Sequence, residues 1–157
     1  MMAPVTPMAG SKKKGDIVSY GLTEAGYDIR IKEDIFFNPG KRWFFKDKPT
    51  VSTLTEDTPG NFILASSIEH FTMPRHTVGV VYNKSSWARR GINVFTTVIE
   101  PGWHGYLTLE ISFHNVNEYV HIPAGSGIAQ VLFESLTHEA DYAGKYQNQE
   151  AGPQKAR

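Results

Sequence analysis

Short apolar runs rich in β-branched and aromatic residues recur along this chain, and Gly, Pro, Asn or Asp separates each run from the next. Short apolar runs separated by turn-forming residues are typical of β-strands joined by turns. No segment has a long 3.6-residue apolar period, and no internal repeat is visible. The sequence therefore predicts an all-β domain and excludes a doubly wound α/β enzyme. Nine strands are predicted, at "YDIRI", "RWFFK", "NFILASS", "EHFTM", "TVGVVYN", "NVFTTVI", "YLTLEISF", "EYVHIPA" and "IAQVLFE".

The run "YLTLEISF", residues 106–113, has the clearest alternation of side chains. Successive side chains of a strand point to opposite faces of the sheet. One face of this strand then carries four apolar residues, Leu107, Leu109, Ile111 and Phe113. The opposite face carries Thr108, Glu110 and Ser112. The pattern predicts that Glu110 points away from the core.

Length, charge and cysteine content limit the classes of function. A chain of 157 residues makes about one domain, and its 16 basic and 16 acidic residues cancel. This balance argues against nucleic acid as a partner, because a surface that follows phosphates has a basic excess. No apolar run approaches the roughly 18 residues of a membrane span, so a soluble protein is predicted. Cysteine is absent, which removes thiolate nucleophiles and cysteine-ligated zinc, and fits a cytoplasmic location.

Composition divides the chain into three segments. Residues 1–15 hold three adjacent lysines with no apolar stretch after them, which predicts a flexible amino-terminal arm rather than a signal peptide. Residues 16–137 contain all the predicted strands. Residues 138–157 are polar and are predicted to form a tail that is flexible when free.

The stretch "NKSSWARRGINV", residues 83–94, concentrates positive charge around two hydroxyls. Exposed Lys and Arg side chains often have no role beyond keeping a turn in contact with water. Taken by itself, this stretch is compatible with that interpretation. Cations and hydroxyls side by side also grip phosphate oxygens through charge-assisted hydrogen bonds. The second interpretation predicts a phosphorylated small molecule bound by Lys84, Ser85, Ser86 and Arg89, which we name the cationic cluster.

The stretch "TVIEPGWHGYLTLEI" adds two carboxylates, Glu100 before Pro101 and Glu110 ten residues later. Each glutamate alone is more often a solvated strand residue than a functional group. Beside the cationic cluster, however, the two glutamates are no longer isolated polar residues.

Five stretches in order give the chain a resemblance to the dCTP deaminase branch of the trimeric dUTPase superfamily. "SYGLTEAGYDIRI" resembles the opening motif of that family, and "KSSWARRG" resembles its "RSSLARxG", with Lys84 in place of the usual Arg. "VIEPGWHGYLTLEI" resembles "IDPGWxGxLxLE", with Glu100 where Asp is usual. "PAGSGIAQVLFE" and "DYAGKYQNQEAGP" resemble the later strand and the carboxy-terminal flap.

The resemblance implies a distorted jelly-roll β-barrel of the trimeric dUTPase type and hydrolysis of dCTP to dUTP and ammonia. Glu110 would be the catalytic carboxylate, with Ser85 and Arg89 as its partners. It also implies a homotrimer with active sites at subunit interfaces, no zinc, and Mg²⁺ bound through the triphosphate. The nucleotide would contact Lys84, Ser86, Glu100, Gln130 and the flap residues Tyr142, Lys145 and Gln149.

Two other functions stay open. A dUTP diphosphatase has the same fold and would use the carboxylate at Glu100, alone or in a bifunctional enzyme with Glu110. Such enzymes usually end in a Gly-rich phosphate-covering motif, whereas this tail reads "GKYQNQEAGP". A catalytically silent nucleotide-binding regulator would keep the cationic cluster without the carboxylates.

Overall fold

A computed structural model of the chain describes residues 3–15, 18–37, 62–114 and 119–157. Their elements are β1 Val5–Thr6, β2 Gly21–Leu22, β3 Tyr27–Arg30, β4 Ile35–Phe37, β5 Phe62–Thr72, β6 Thr77–Asn83, α1 Ser85–Ala88, β7 Ile92–Val94, β8 Val98–Ile99, β9 His104–Phe113, β10 Val120–Ile122 and β11 Gly127–Ser135. The prediction of an all-β domain is confirmed. The described residues contain no helix long or apolar enough to span a membrane.

Within the described residues the strands form three antiparallel sheets. One has the order β1-β5-β9-β7, another the order β2-β3-β11-β6-β8, and β10 pairs with β4. An isolated bridge between Ile31 and Ser67 joins the first two sheets. Their inner faces share one apolar core whose largest fully buried side chains include Trp87, Tyr27, Phe37 and Phe71.

Several predicted strands differ from the observed ones. "NFILASS" and "EHFTM" belong to the single strand β5, whose pairing with β9 shifts between Ser66 and His70. "NVFTTVI" is divided between β7 and β8, and "RWFFK" lies outside the described residues. Within the predicted arm, Val5–Thr6 pairs with β5 and Val5 is buried. The limits of the three predicted segments stay predictions.

Strand β9 has the alternation that its sequence predicts. Leu107, Leu109, Ile111 and Phe113 are buried, and the residues between them are only partly so. Glu110 lies opposite Leu64 of β5, and its backbone carbonyl accepts a hydrogen bond from Phe95 N at 3.0 Å. The apolar face therefore fixes β9 on the core and turns Glu110 outward.

A buried ion pair ties β3 to β5. The Glu69 carboxylate, fully inaccessible to solvent, accepts hydrogen bonds from the backbone N and from Nε of Arg30, both at 2.8 Å. Burial raises the pKa of Glu69, while these hydrogen bonds and the charge of Arg30 oppose that rise. The pair joins the two large sheets at the register shift of β5.

Candidate active site

Both candidate carboxylates line one cleft, which has a volume of about 570 Å³. Glu100 follows β8 at the rim, and Glu110 lies on the outer face of β9. Apolar side chains such as Phe62 and Leu64 share the lining. A cleft of this size, mostly apolar with a few polar groups, fits a small-molecule ligand.

Glu110 is the more buried of the two carboxylates. Its partial burial raises the pKa of the carboxyl, and the interaction with its own backbone N–H lowers it in part. Glu100 is exposed. A cleft carboxylate whose pKa is raised is a candidate general base. A general base is most effective when its pKa lies close to the pH at which the enzyme works.

The carboxy-terminal tail forms one wall of this cleft. Gln149 Nε2 donates to Thr108 Oγ1, and the backbone N of Gln154 donates to the same oxygen at 3.0 Å. Tyr106 N donates to Gln149 O at 2.9 Å. Thr108 lies two residues before Glu110 on the same face of β9, so the tail crosses directly beside the carboxylate.

A second set of bonds holds the tail at the turn before β9. Gln147 accepts from the backbone N of His104 at 2.8 Å and donates to Gly102 O at 2.9 Å. Trp103 Nε1 donates to Tyr146 O at 2.7 Å. Gly105 has φ 145°, and a Cβ there would lie 2.7 Å from Gln149 N. Glycine is therefore required where the tail meets the strand.

The cationic cluster lies on and before the short helix α1. Trp87 is fully buried and donates from Nε1 to Gly127 O at 2.7 Å, which anchors the helix to β11. Ser85, Ser86 and Arg89 are exposed around this anchor. The structure thus presents both hydroxyls and one guanidinium to solvent.

Lys84 differs from the rest of the cluster because it is paired within the chain. Its Nζ donates to Oδ2 of Asp28, and the side chain is 11% exposed. Gln130 lies opposite Asp28 across β3 and β11, and its Nε2 donates to Thr23 Oγ1 at 3.1 Å. Lys84 and Gln130 therefore belong to the five-stranded sheet rather than to the carboxylate cleft.

The structure brings together some of the predicted site residues and separates others. Of the described residues, the cleft lining includes Glu100, Glu110, Tyr142 and Gln149, and omits Lys84, Ser85, Ser86, Arg89 and Gln130. No hydrogen bond or ion pair in the described part of the chain joins Glu110 to Ser85 or Arg89. Lys145 is exposed, and its Nζ donates to the backbone O of Arg157.

Sequence reasoning missed two contacts at these sites. Asp28 stood out only as part of the opening motif, and its pairing with Lys84 spans 56 residues of chain. Thr108 was read only as a polar-face residue, although two tail groups bind its hydroxyl. No group of three or more His, Asp or Glu side chains placed to hold a metal ion occurs within residues 3–15, 18–37, 62–114 and 119–157.

Residues 16–136 match the family described as dCTP deaminase-like. A dCTP deaminase of Roseiflexus castenholzii is 40% identical over 159 residues, which cover 92% of this chain and 86% of that protein. A dCTP deaminase of Herpetosiphon aurantiacus is 38% identical, with the same coverage of both chains.

Solved dUTPase structures share the fold. A mutant dUTPase of Staphylococcus bacteriophage 80alpha with dUpNHpp has a TM-score of 0.55 and 16% identity, covering 90% of this chain and 94% of that one. A mutant dUTPase of phage phi11 of S. aureus, described with a structural Mg(II) ion, has a TM-score of 0.54 and 14% identity, covering 90% and 95%. The predicted jelly-roll architecture of the dUTPase type is thereby confirmed.

Proposed function

The chain belongs to the dCTP deaminase-like family, and on that premise we propose that it hydrolyses dCTP to dUTP and ammonia. The observation that carries the proposal is the placement of Glu110, a partly buried carboxylate whose pKa burial raises, inside a cleft of nucleotide-compatible size. The chain has no cysteine, so the thiolate-ligated zinc of other nucleobase deaminases has no equivalent ligands.

Glu110 supplies the proton transfers of this reaction. Its carboxylate takes a proton from water as the water oxygen bonds to C4 of the cytosine, and it delivers that proton to N3. The added hydroxyl then loses its proton to the amino group, the C–N bond breaks, and ammonia leaves a C4 carbonyl. Ser85 orients the water or the leaving amine, and the guanidinium of Arg89 favours the charged form of Glu110.

The proposed partners come from different copies of the chain. The cleft and the cationic cluster are separate within one chain, so a site that uses both requires a second copy. Two apolar side chains near the cleft support this assembly, because Val98 is 52% exposed and Phe95 is 46% exposed. Exposed apolar side chains of this size are typical of protein interfaces. The assembly we propose is a homotrimer with sites at its subunit interfaces.

The triphosphate contacts Lys84 and Ser86 of the cationic cluster, with Gln130, Tyr142, Lys145 and Gln149 completing the site and Glu100 near the sugar. Mg²⁺ would be held by the phosphate oxygens of the nucleotide and by water, since this ion prefers these ligands to an all-protein cage. Its chemistry there is neutralisation of phosphate charge. The cytoplasm is the proposed compartment, in line with the absence of cysteine.

Product analysis tests the reaction. The protein is incubated with Mg²⁺ and either dCTP or dUTP, with and without prior treatment by a zinc chelator, and ammonia and pyrophosphate are measured separately. Ammonia alone, at the same rate in both samples, is the expected result. Pyrophosphate release from dUTP without ammonia from dCTP would establish a dUTP diphosphatase, and both products would establish a bifunctional enzyme that uses Glu100. Nucleotide binding without either product would establish the regulator.

Removing either proposed phosphate lysine is expected to weaken nucleotide binding. Lys84→Ala and Lys145→Ala each delete a charge-assisted hydrogen bond of roughly 1.5 to 3 kcal/mol. The dissociation constant for dCTP should rise about ten- to a hundredfold. Titration calorimetry with Lys32→Ala, which removes an exposed lysine, supplies the matched control. If both variants bind like that control, neither lysine contacts the triphosphate.

Two inactive variants are expected to restore activity when they assemble together. Glu110→Gln and Ser85→Ala, co-expressed with different tags, combine an intact Ser85 of one copy with an intact Glu110 of another. Every cyclic trimer that contains both variants has one intact site in three, so the doubly purified mixture should keep about a third of the parent activity. Deamination by the doubly purified mixture measures this. A mixture no more active than its components would place both residues of one site in the same chain.

A further inference from the structure

Asp28 is a buried carboxylate on the outer face of a sheet. Tyr27, Ile29 and Ile31 take the core face around β3, so Asp28 alternates outward with Arg30. It is nevertheless only 2% exposed. A charge this deeply buried requires a partner, because desolvation disfavours an isolated ion.

Lys84 is that partner, and it contacts only one of the two carboxylate oxygens. Oδ2 of Asp28 accepts from Lys84 Nζ, whereas the buried Oδ1 has no hydrogen-bond partner among the described residues. Gln130, directly across from Asp28, donates to Thr23 instead. Among the described residues Lys84 is the only cation paired with Asp28, and its side chain is mostly held away from solvent.

This pairing conflicts with a role for Lys84 as a free phosphate-binding cation. A phosphate that reaches Lys84 meets an ammonium whose charge Asp28 already balances. Asp28 could help by fixing a flexible lysine, which saves side-chain entropy. It also opposes binding, because its charge lies a few ångströms from the incoming anion. At that distance the Coulombic effect exceeds the entropy of one side chain.

We propose that Asp28 is a positioning residue that limits the affinity of the site for nucleoside triphosphates by holding Lys84 as its counter-ion. The inference rests on the proposed function for the role of Lys84 in phosphate binding. Asp28 itself touches no part of the substrate. Its effect is to keep substrate and triphosphate product from binding too tightly for release.

Titration calorimetry with dUTP and Mg²⁺ tests this without turnover. Asp28→Asn keeps the shape of the side chain and frees Lys84, so the dissociation constant should fall about three- to tenfold. A merely structural role for Asp28 gives the opposite result, because damage to the fold weakens binding. An unchanged or higher dissociation constant overturns the proposal.

Two further variants serve as controls for the effect of Asp28→Asn. In a Lys84→Met background the gain from Asp28→Asn should be much smaller, since no ammonium remains to be freed. A gain as large as in the parent background would overturn the proposal, because Asp28 would then act without Lys84. Should Asp28→Asn fail to fold, Asp28→Glu displaces the carboxylate by one methylene and should give a smaller gain in the same direction.

Acetylation of lysines with acetic anhydride, read by peptide mass spectrometry, separates this inference from the proposed function. Lys84 of the parent should react slowly relative to the exposed Lys32, and Asp28→Asn should raise its rate. Equal reactivity of Lys84 in both proteins overturns the pairing whatever the substrate is. A failure to release ammonia from dCTP overturns the proposed function and leaves this measurement intact.

Discussion

Replacing Glu110 with glutamine is expected to lower ammonia release from dCTP by about 10²- to 10⁴-fold, the range for a removed general base. Glutamine keeps the size and hydrogen-bonding capacity of the side chain, so nucleotide binding should change little. The cleft position of Glu110, its partial burial and the raised pKa of its carboxyl are the reasons. Single-turnover deamination with saturating dCTP measures the rate of the chemical step.

Glu100→Gln is the matched control, because Glu100 lines the same cleft. It should cost deamination less than Glu110→Gln, and it should abolish any pyrophosphate release. A Glu110→Gln variant that deaminates near the parent rate would refute the mechanism, because another group would then be the general base.

The same variant has a second readout in stability. Burial raises the pKa of Glu110 in the folded state, so the folded protein binds this proton more tightly than the unfolded chain does. Proton binding by Glu110 therefore adds to the free energy of unfolding, and this contribution is complete at pH values below the ordinary pKa of a glutamate. That contribution is lost as pH rises through the raised pKa. Glutamine does not titrate, so the stability of the variant relative to the parent should be greater at pH 7 than in acid. Deamination by the parent should fall as pH drops through the same raised pKa.

Arg30→Met is expected to lower the free energy of unfolding by about 3 to 5 kcal/mol, the cost of breaking a buried ion pair from one side. Glu69 is fully buried and would keep only the backbone N–H of residue 30 as a hydrogen-bond donor from β3. Urea denaturation at pH 7 measures the loss. The loss should shrink in acid, because protonated Glu69 no longer needs a cation.

The double variant Arg30→Met with Glu69→Gln is the decisive comparison. Removing both charges together should recover most of the lost stability, since replacing a whole buried pair is often neutral. Arg30→Lys keeps a charge without the Nε donor and should fall between the parent and Arg30→Met. If the double variant is as unstable as Arg30→Met, the loss comes from packing of the arginine stem rather than from its charge.

Local alternation made strand β9 and the orientation of Glu110 predictable. Four apolar residues at every second position leave only one stable way to place that strand on a core. The same rule could not show that two predicted strands belong to β5, because a register shift between Ser66 and His70 interrupts the alternation without ending the strand. Periodicity shows which face of a strand is buried. It does not show whether the strand continues through a shift of its pairing register.

Contacts between distant residues were beyond the reach of the sequence. Asp28 and Lys84 meet because β3 and β6 both flank β11, an arrangement that depends on sheet order rather than on spacing along the chain. Arg30 and Glu69 meet because β3 crosses β5 at the junction of the two large sheets. The sequence shows that Asp28 and Glu69 are acidic residues, but only the three-dimensional structure shows which basic residue pairs with each.

The bonds to Thr108 carry a kinetic consequence. The tail wall beside Glu110 is joined to this hydroxyl by two hydrogen bonds, one from Gln149 and one from Gln154. Such contacts open locally at far lower free energy than the barrel unfolds. Entry of a nucleotide and departure of its product can therefore proceed through opening of the tail while the barrel remains folded. Substitution of Gln154, which the proposed nucleotide site does not use, would then change turnover by altering residence time, with the chemical step untouched.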